Sequence, residues 1–186
     1  MMNASEPLVG EPLAVDLVNT RPVGQDLLAT TGMLASWLAL EADRLPGLEV
    51  DRNLTDDDLE AVHRVRECIA NALAALMNGQ HPPKSALDGL NRALAAAPAT
   101  RRLEWVDGAV VAGSKRAGTS AEWLAAMLAE SAADLLTDPS ISKLRRCEAD
   151  DCVMLFLPAH PRRRWCAPER CGNRARVARY YQRHKE

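Results

Sequence analysis

The most constraining feature of this 186-residue chain is a set of four cysteines within its last 40 residues. They form two equally spaced pairs, Cys147-x4-Cys152 and Cys166-x4-Cys171, and thirteen residues separate the pairs. Two such pairs joined by a short ribbon can bring four thiolates to one point, as a tetrahedral Zn²⁺ site requires. Because four protein ligands leave no open position for catalysis, the spacing predicts a structural site in a segment used for recognition.

The same four thiols allow two other interpretations, an iron–sulfur cluster and a pair of disulfides. The N-terminal residues contain no basic region followed by an apolar run, so no secretion signal is predicted. We therefore expect a reducing, cytoplasmic location, where paired cysteines bind metal more often than they form disulfides. One structural zinc ion is the favoured cofactor.

Charge divides the chain near the same place as the cysteines. Residues 1–142 contain 11 Lys/Arg and 20 Asp/Glu, whereas residues 143–186 contain 12 Lys/Arg and 5 Asp/Glu. A basic end on an acidic body fits a tail that binds a polyanion, and a solvated charged surface is the ordinary alternative. No apolar run is long enough to span a membrane, so no membrane partner is predicted.

The sequence predicts two domains, residues 1–139 and 140–186, with the boundary at Pro139-Ser140. A body of about 140 residues can bury a core of its own, whereas a tail of about 40 residues usually needs a metal or disulfides. Residues 141–146 are expected to form a short strand-like bridge between the two domains.

The body is predicted to be mainly α-helical with a small β-hairpin. Asp107-Gly108 between two apolar runs is a hairpin signal, and Thr119-x-x-Glu122 is typical of a helix start. Residues 13–19 are expected to form a short strand. Helical periodicity places the helices within residues 31–42, 55–79, 82–98 and 119–138. The tryptophans expected to pack in the core, rather than to line a ligand cage, are Trp37, Trp105 and Trp123.

The tail is predicted to fold as a treble-clef-like zinc finger, formed by a knuckle, a β-hairpin and a helix. Residues 147–152 form the knuckle, and residues 153–157 and 163–165 are the expected strands. The helix begins after Gly172-Asn173, and its apolar face is expected to pack on the hairpin or on the body. That face comprises Val177, Tyr180, Tyr181 and His184.

Six arginines of the tail are candidate nucleic-acid contacts. Three lie where the expected hairpin returns, and three share one face of the terminal helix, opposite its apolar face. A guanidinium can bind phosphate through two parallel N–H donors, although pairing with acidic residues is the alternative use of these side chains. The six are Arg162, Arg163, Arg164, Arg176, Arg179 and Arg183.

The body shows no catalytic constellation, so an enzyme is not predicted. His63 and His81 lack a partner at a useful spacing, and no nucleotide-binding or metalloprotease motif occurs. Polar residues near the first expected strand predict a small-molecule effector site, and capping of nearby helices is the alternative role for such groups. The candidates are Asp16, Asn19, Thr20 and Arg21.

The segment from Trp165 to Arg174 resembles the CGNR zinc-finger family, whose Cys-Gly-Asn-Arg motif stands here at residues 171–174. Arg146-Cys147 and residues 152–156 match the preceding cysteine pair and strand of that family. The body resembles the ABATE domain, which usually precedes this finger. The matching segments of the body are residues 16–20, 26–28, 34–38 and 131–136.

This resemblance covers nearly the whole chain and implies a bacterial, stress-induced transcription regulator whose finger binds DNA. It also implies that the four cysteines are the zinc ligands. As our own hypothesis, the body senses a signal or mediates association, for instance as a homodimer. A protein-interaction module and an RNA-binding module, each with a structural zinc, are the alternatives. The chain departs from the family pattern at residues 158–161, Pro-Ala-His-Pro, in a shortened loop that leaves the metal site intact. Arg174 lies off the arginine face and is expected to brace the finger through backbone carbonyls.

Overall fold

A computed structural model describes residues 7–47 and 53–184, without the side chains of Ala178, Arg179, Gln182 and Arg183. The fold of this part of the chain is mainly helical with two small antiparallel sheets, as predicted. Its helices are α1 (Leu13–Asn19), α2 (Thr31–Leu40), α3 (Asp56–Met77), α4 (Lys84–Ala96), α5 (Ser120–Thr137) and α6 (Asn173–Arg183). Its strands are β1 (Thr100–Val106), β2 (Ala109–Lys115), β3 (Arg145–Arg146) and β4 (Leu155–Phe156).

Helices α3, α4 and α5 pack against one another, and α1 lies on α3 and α5. Thr55 and Thr119 begin α3 and α5 with capping boxes. In each box the threonine hydroxyl accepts from a backbone N–H, and the carboxylate three residues later accepts from the N–H of the cap residue. The apolar faces of these helices bury Leu73, Leu124 and Leu128 completely. The body therefore has a continuous apolar core of its own.

Residues 13–19 form helix α1, so the predicted strand is wrong. Almost every residue of this segment is buried, whether its side chain is apolar or polar. A short segment that is buried on all sides shows neither a period of two nor one of 3.6, so periodicity cannot assign it. Pro12 precedes the first residue of the helix, and its carbonyl accepts from the N–H groups of Val15 and Asp16.

The predicted hairpin at Asp107-Gly108 is present as β1 and β2. Both turn residues have positive φ, 49° and 83°, as a type I′ turn requires. Every residue of the two strands is exposed, so the hairpin projects from the body. Trp105 is consequently 72% exposed and is not the core residue that was predicted. Trp37 is fully buried as expected, and Trp123 is half-buried.

The strand pairing in the finger differs from the predicted one. Strand β4 pairs with β3, before the knuckle, with Arg145 opposite Phe156 and Arg146 opposite Leu155. Residues 163–165 form no strand, and Arg164 only accepts one backbone hydrogen bond from Glu148. The short loop with two prolines makes a tight turn that does not extend a ladder. The expected bridge over residues 141–146 is a 3₁₀ turn, Pro139–Lys143, followed by β3.

The finger is docked on the body through polar and apolar contacts. The Asn19 side chain donates to the carbonyl of Leu155 at 2.9 Å and accepts from its N–H at 2.8 Å. Glu11 accepts from the N–H of Leu157 at 2.8 Å and from Arg163 at 2.5 Å. Leu155 itself belongs to the apolar core of the body. We call this set of contacts, made by Glu11, Asn19, Leu155, Leu157 and Arg163, the seam.

Candidate metal centre and nucleic-acid interface

The sulfur atoms of the four predicted metal ligands converge at one point of the finger. All four Sγ atoms lie within 4.8 Å of one another. Two of the separations are 3.9 Å for Cys152–Cys166 and 3.6 Å for Cys166–Cys171. A tetrahedral zinc ion with Zn–S bonds of about 2.3 Å holds its sulfurs about 3.8 Å apart. The cluster therefore fits one zinc ion, and its separations are far too long for S–S bonds of about 2.05 Å.

Each pair of cysteines is delivered by a separate turn. Cys147 follows β3 directly, and the knuckle after it closes with Asp151 in the left-handed region, at a φ of 60°. Cys166 follows the proline-containing loop, and Cys171 lies in a π-type turn, Pro168–Gly172, that leads into α6. Cys147, Cys166 and Cys171 are buried, and Cys152 is half-buried. The sulfur cage is thus largely buried and is tied directly to the start of α6.

The thiols of the cage strongly influence one another. A hydrogen bond with the Cys166 thiol lowers the pKa of Cys152 to about 5, and the same contact raises the pKa of Cys166. Burial raises the pKa of Cys171 to about 12. Four neighbouring thiolates repel one another in a buried site, so all four protons leave together only when a cation takes their place. A divalent metal ion supplies that charge.

Backbone and side-chain donors surround the cage. The N–H of Cys166 donates to the Cys147 sulfur at 3.4 Å, and the Arg174 guanidinium lies 3.7 Å from the Cys171 sulfur. Arg174 also donates to the carbonyl of Asp150 at 3.0 Å, which confirms its predicted bracing role. Donors of this kind orient metal-bound thiolates and offset part of their charge. The site therefore has four sulfur ligands, outer donors and no open position, as expected of structural zinc.

The three arginines of the loop do not behave alike. Arg162 is exposed, and Arg164 is exposed with an ion pair to Glu148 at 2.5 Å. Arg163 points inward, where it donates to Glu11 and to the carbonyls of Trp165 and Cys166. Its guanidinium also lies 4.6 Å from the centre of the Phe156 ring. Arg163 is thus part of the seam rather than of the exposed arginine surface.

Helix α6 leaves Arg176 and the predicted apolar face exposed to solvent. Arg176 is exposed and donates to the side chain of Asn173 at 3.1 Å. Arg179 and Arg183 lie on the same helix, but their side chains are outside the described residues. The face that was predicted to pack on the hairpin or the body does not do so. Its residues Val177, Tyr180 and Tyr181 are 53%, 55% and 64% exposed, and Tyr180 stacks on His184.

The four predicted effector residues do not converge on one cavity. Asp16 accepts from the N–H groups of Gly10 and Glu11 and from Arg44. The Thr20 hydroxyl donates to a backbone carbonyl of α1 and accepts from Arg66. Burial raises the pKa of Asp16 to about 7 in spite of its donors. These two side chains therefore serve the fold, and an effector site that uses them stays a prediction without support from their contacts.

Asn19 and Arg21, the other two candidates, border a cleft of about 280 Å³ between the body and the finger. Asn19 is committed to the seam, whereas Arg21 is exposed and pairs with Glu67 at 3.1 Å. Sequence reasoning missed the residues that complete this cleft, because they come from α3 and from either side of the knuckle. They include Arg66, Asn71, Arg146 and Met154.

Comparison with known families agrees with this architecture. The ABATE model, described as "putative stress-induced transcription regulator", matches residues 11–139, and the CGNR zinc-finger model matches residues 143–184. The chain belongs to the ABATE family. The resemblance inferred from the sequence is thereby confirmed, and so is the zinc-binding character of the four-cysteine cluster. A search of curated proteins finds no match.

The ABATE match ends at the last residue before the predicted boundary, and the finger match begins at the end of the 3₁₀ turn. The descriptions of the two models name a regulator and a zinc finger rather than an enzyme. Among the described residues, no helix combines the length and apolar character needed to cross a bilayer. The family and the four-cysteine cluster thus support a zinc-binding regulatory protein.

Proposed function

We propose that this chain is a bacterial transcription regulator of the cytoplasm, in which the zinc finger binds DNA and the body receives a stress signal or mediates association. The observation that carries the proposal is helix α6. Its first turn is fixed beside the sulfur cage, and beyond that turn Arg176, Val177 and Tyr180 stand in solvent. A helix that the fold does not bury is available to bind a partner.

Charge supports a nucleic acid as that partner. Helical spacing predicts Arg179 and Arg183 on the face of Arg176, and the exposed loop residues Arg162 and Arg164 add two further guanidiniums. Arg163 is left out of the proposed contact surface because it is engaged in the seam. If these five arginines contact duplex phosphates, the logarithm of the binding constant falls with the logarithm of salt concentration with a slope of about −4.5.

The exposed aromatic rings favour a second candidate, which is binding of single-stranded RNA or DNA. Tyr180 and Tyr181 meet edge to face with their ring centroids 5.9 Å apart. Exposed aromatic rings next to arginines can stack on unpaired bases, and each stacked base contributes about 1–3 kcal/mol. Duplex DNA offers no unpaired base, so the two candidates differ in whether the tyrosines matter for affinity.

One set of anisotropy titrations separates these candidates from a protein-interaction module. The probes are duplex DNA, single-stranded DNA and RNA of the same sequence, each measured over a series of salt concentrations. We expect the tightest binding to duplex DNA, and a shallower salt slope in the combined variant Arg176→Ala, Arg179→Ala, Arg183→Ala. The variant Arg64→Ala, Arg92→Ala removes two exposed charges from the body and serves as the control.

These titrations distinguish duplex DNA, single-stranded nucleic acid and a protein as the partner of the finger. Loss of duplex binding in the triple variant, with zinc content unchanged, supports the DNA proposal. Tighter binding to RNA or single strands, weakened by Tyr180→Ala and Tyr181→Ala, favours the second candidate. Equally weak binding to all three probes with a flat salt response contradicts nucleic-acid binding and favours a protein partner.

The cleft between the body and the finger is the place we propose for a small-molecule effector. Of the four residues predicted from the sequence, it retains Asn19 and Arg21, and it adds Arg146 from the finger. Because Arg21 and Arg146 carry positive charge, small anionic metabolites are the appropriate class for a thermal-shift screen. A hit that shifts the wild type equally with the variant Arg21→Ala, Arg146→Ala would contradict this placement.

A further inference from the structure

The β1–β2 hairpin is a two-stranded sheet with both edges unpaired and both faces exposed. On one face Leu103, Trp105 and Val110 are 71%, 72% and 62% exposed. A two-stranded hairpin without cover is marginally stable in water, and a long apolar edge is a template for another strand. The hairpin is thus the part of the body that most clearly lacks a partner within the described residues.

The register of the hairpin fixes which backbone groups of β1 are free. The two-residue turn makes Val106 and Ala109 a hydrogen-bonded pair, and such pairs recur at every second residue back to Thr100. The N–H and C=O groups of the residues between them therefore point away from β2, toward the open edge. These residues are Arg101, Leu103 and Trp105.

The sequence of β1, Thr-Arg-Arg-Leu-Glu-Trp-Val, is self-complementary in charge about its central residue, Leu103. In an antiparallel pair of two β1 strands with a two-fold axis at Leu103, each Arg102 stands opposite Glu104 of the other copy. These opposite charges occupy a non-hydrogen-bonded position, where the Cα atoms approach to about 4.5 Å. The same axis places Arg101 opposite the Trp105 ring, a favourable cation–π pair.

The free backbone groups agree with this register, and the charges distinguish it from the two neighbouring registers. Leu103 opposite its own copy, and Arg101 opposite Trp105, are the positions whose N–H and C=O groups face the open edge. A two-fold axis at Arg102 or at Glu104 would also bring free backbone groups opposite each other, but it would set like charges opposite each other, Arg102 against Arg102 or Glu104 against Glu104. The open edge of β2 offers no such match, because Lys115 is the one charged residue in Ala109–Lys115.

We propose that two copies of this chain associate through their β1 edges to form one four-stranded antiparallel sheet. The interface is isologous, so each contact occurs twice. The two apolar faces become continuous, and the exposed Leu103 and Trp105 of one copy lie beside those of the other. This proposal deepens the association role proposed for the body, and a two-fold dimer would present two fingers to a palindromic DNA site.

The first test asks whether the β1 edge carries the association. Sedimentation of the full chain over a range of about 1 to 300 µM is expected to show a monomer–dimer equilibrium, since so short an edge supports moderate affinity. Leu103→Pro removes an outward N–H and leaves the bonds to β2 in place. We expect it to weaken dimerisation at least tenfold. Ala112→Pro makes the same change on the open edge of β2 and should leave dimerisation within about threefold of wild type.

The second test examines the register of the two paired β1 strands. Arg102→Glu and Glu104→Arg each place like charges opposite each other, so each variant alone is expected to associate at least tenfold more weakly. The double variant Arg102→Glu, Glu104→Arg restores opposite charges and should dimerise within about threefold of wild type. An equimolar mixture of the two single variants should also dimerise, because the acidic strand of one faces the basic strand of the other.

Several results would overturn the proposal. A wild-type chain that stays monomeric throughout the concentration range contradicts it, and so does a dimer that Leu103→Pro leaves intact. Single variants that fail to associate when mixed contradict the register. Thermal unfolding of each variant shows whether the body remains folded. DNA binding by a chain that stays monomeric would leave the proposed finger contacts standing, so the two proposals fail separately.

Discussion

The body and the finger solve the problem of stability by different means. In the body, α3, α4 and α5 bury a continuous apolar cluster that includes Leu73, Leu90 and Leu128. In the finger, the buried cluster consists of Phe156, two alanines and three of the four cysteines. Burial of apolar surface stabilises a fold by about 25 cal/mol per Å², and the finger is too small to bury enough of it to be stable alone. Metal binding must supply the remaining free energy that stabilises the finger.

The finger also depends on the body, because one of its side chains packs in the apolar core of the body. Leu155 belongs to the apolar cluster of the helices, and Asn19 satisfies both of its backbone groups. The zinc cage thus organises the residues around it, while the seam fixes where the finger lies on the body. These two contributions can be separated by experiment.

Removal of zinc should unfold the finger and leave the body folded. Structural zinc sites contribute about 10–16 kcal/mol of binding free energy, far more than a segment of about 40 residues gains from packing. Cys171→Ser, or addition of a chelator, is expected to abolish zinc binding and hydrogen-exchange protection in the finger. Protection in α3 and α5 should persist. Metal stoichiometry and exchange measured by mass spectrometry check both parts.

The matched control for that experiment is Cys68→Ala, since Cys68 lies on α3 outside the cage and has no part in metal binding. Its zinc content should equal that of the wild type. Complete loss of protection in α3 and α5 after zinc removal would contradict the division, and would mean that the seam makes the two domains one cooperative unit.

Asn19→Ala should weaken the seam between the finger and the body without releasing zinc from the four cysteines. The change strands the buried N–H and C=O groups of Leu155, at a cost of about 2–3 kcal/mol in the free energy of unfolding. Zinc content should stay at one per chain, because no sulfur ligand contacts Asn19. Urea denaturation and metal analysis measure the two effects. Asn71→Ala, an exposed change on α3, is the control and should cost less than about 0.5 kcal/mol.

Acidification should act on the two domains with opposite signs. In the body, burial raises the pKa of Asp16 from 3.8 to about 7, and burial also raises the pKa of Glu41. Between pH 4 and 7 the folded body therefore holds a proton that the unfolded chain has lost. This Asp16 contribution to the free energy of unfolding is full below about pH 4 and is lost as pH rises toward 7, by on the order of 3 kcal/mol. In the finger, protonation of thiolates competes with zinc, so its stability rises over the same interval.

Denaturation of the body and release of zinc to a chromogenic chelator, both followed from pH 4 to 7, test these opposite slopes. Asp16→Asn is expected to lower stability at every pH, because an amide N–H then faces the donors of Gly10, Glu11 and Arg44. The stability of the body in this variant should nevertheless depend less steeply on pH than it does in the wild type. An unchanged slope in this variant would mean that Asp16 stays ionised throughout.

The elements that sequence reasoning predicted well are those that depend on local chemistry. The spacing of Cys147 and Cys152, the capping box at Thr119 and the turn at Asp107-Gly108 each act over a few residues, and the structure contains all of them. Whether Trp105 is buried depends instead on what packs against the hairpin, and a strand pattern does not reveal that.

The site shows the same limit. The four ligands follow from their spacing, but the role of Arg163 depends on Glu11, which lies 152 residues away and could not be inferred as its partner. The tyrosines of α6 have helical spacing suited to packing, yet no element lies against them among the described residues. Tertiary placement thus distinguishes residues that build the finger from those left for a partner.

Removal of the capping box of α5 is expected to have the smallest effect of these changes and to destabilise the body alone. Thr119→Ala removes the hydroxyl that accepts from the N–H of Glu122, and it should lower the free energy of unfolding of the body by about 1 kcal/mol. Thr137→Ala removes the same group from the other end of the helix, where its hydroxyl bonds only to carbonyls of α5, and should cost less. Denaturation measures both, and zinc affinity should not change in either. A fall in zinc affinity with Thr119→Ala would show that the body supports the cage and that the two domains are not stabilised independently.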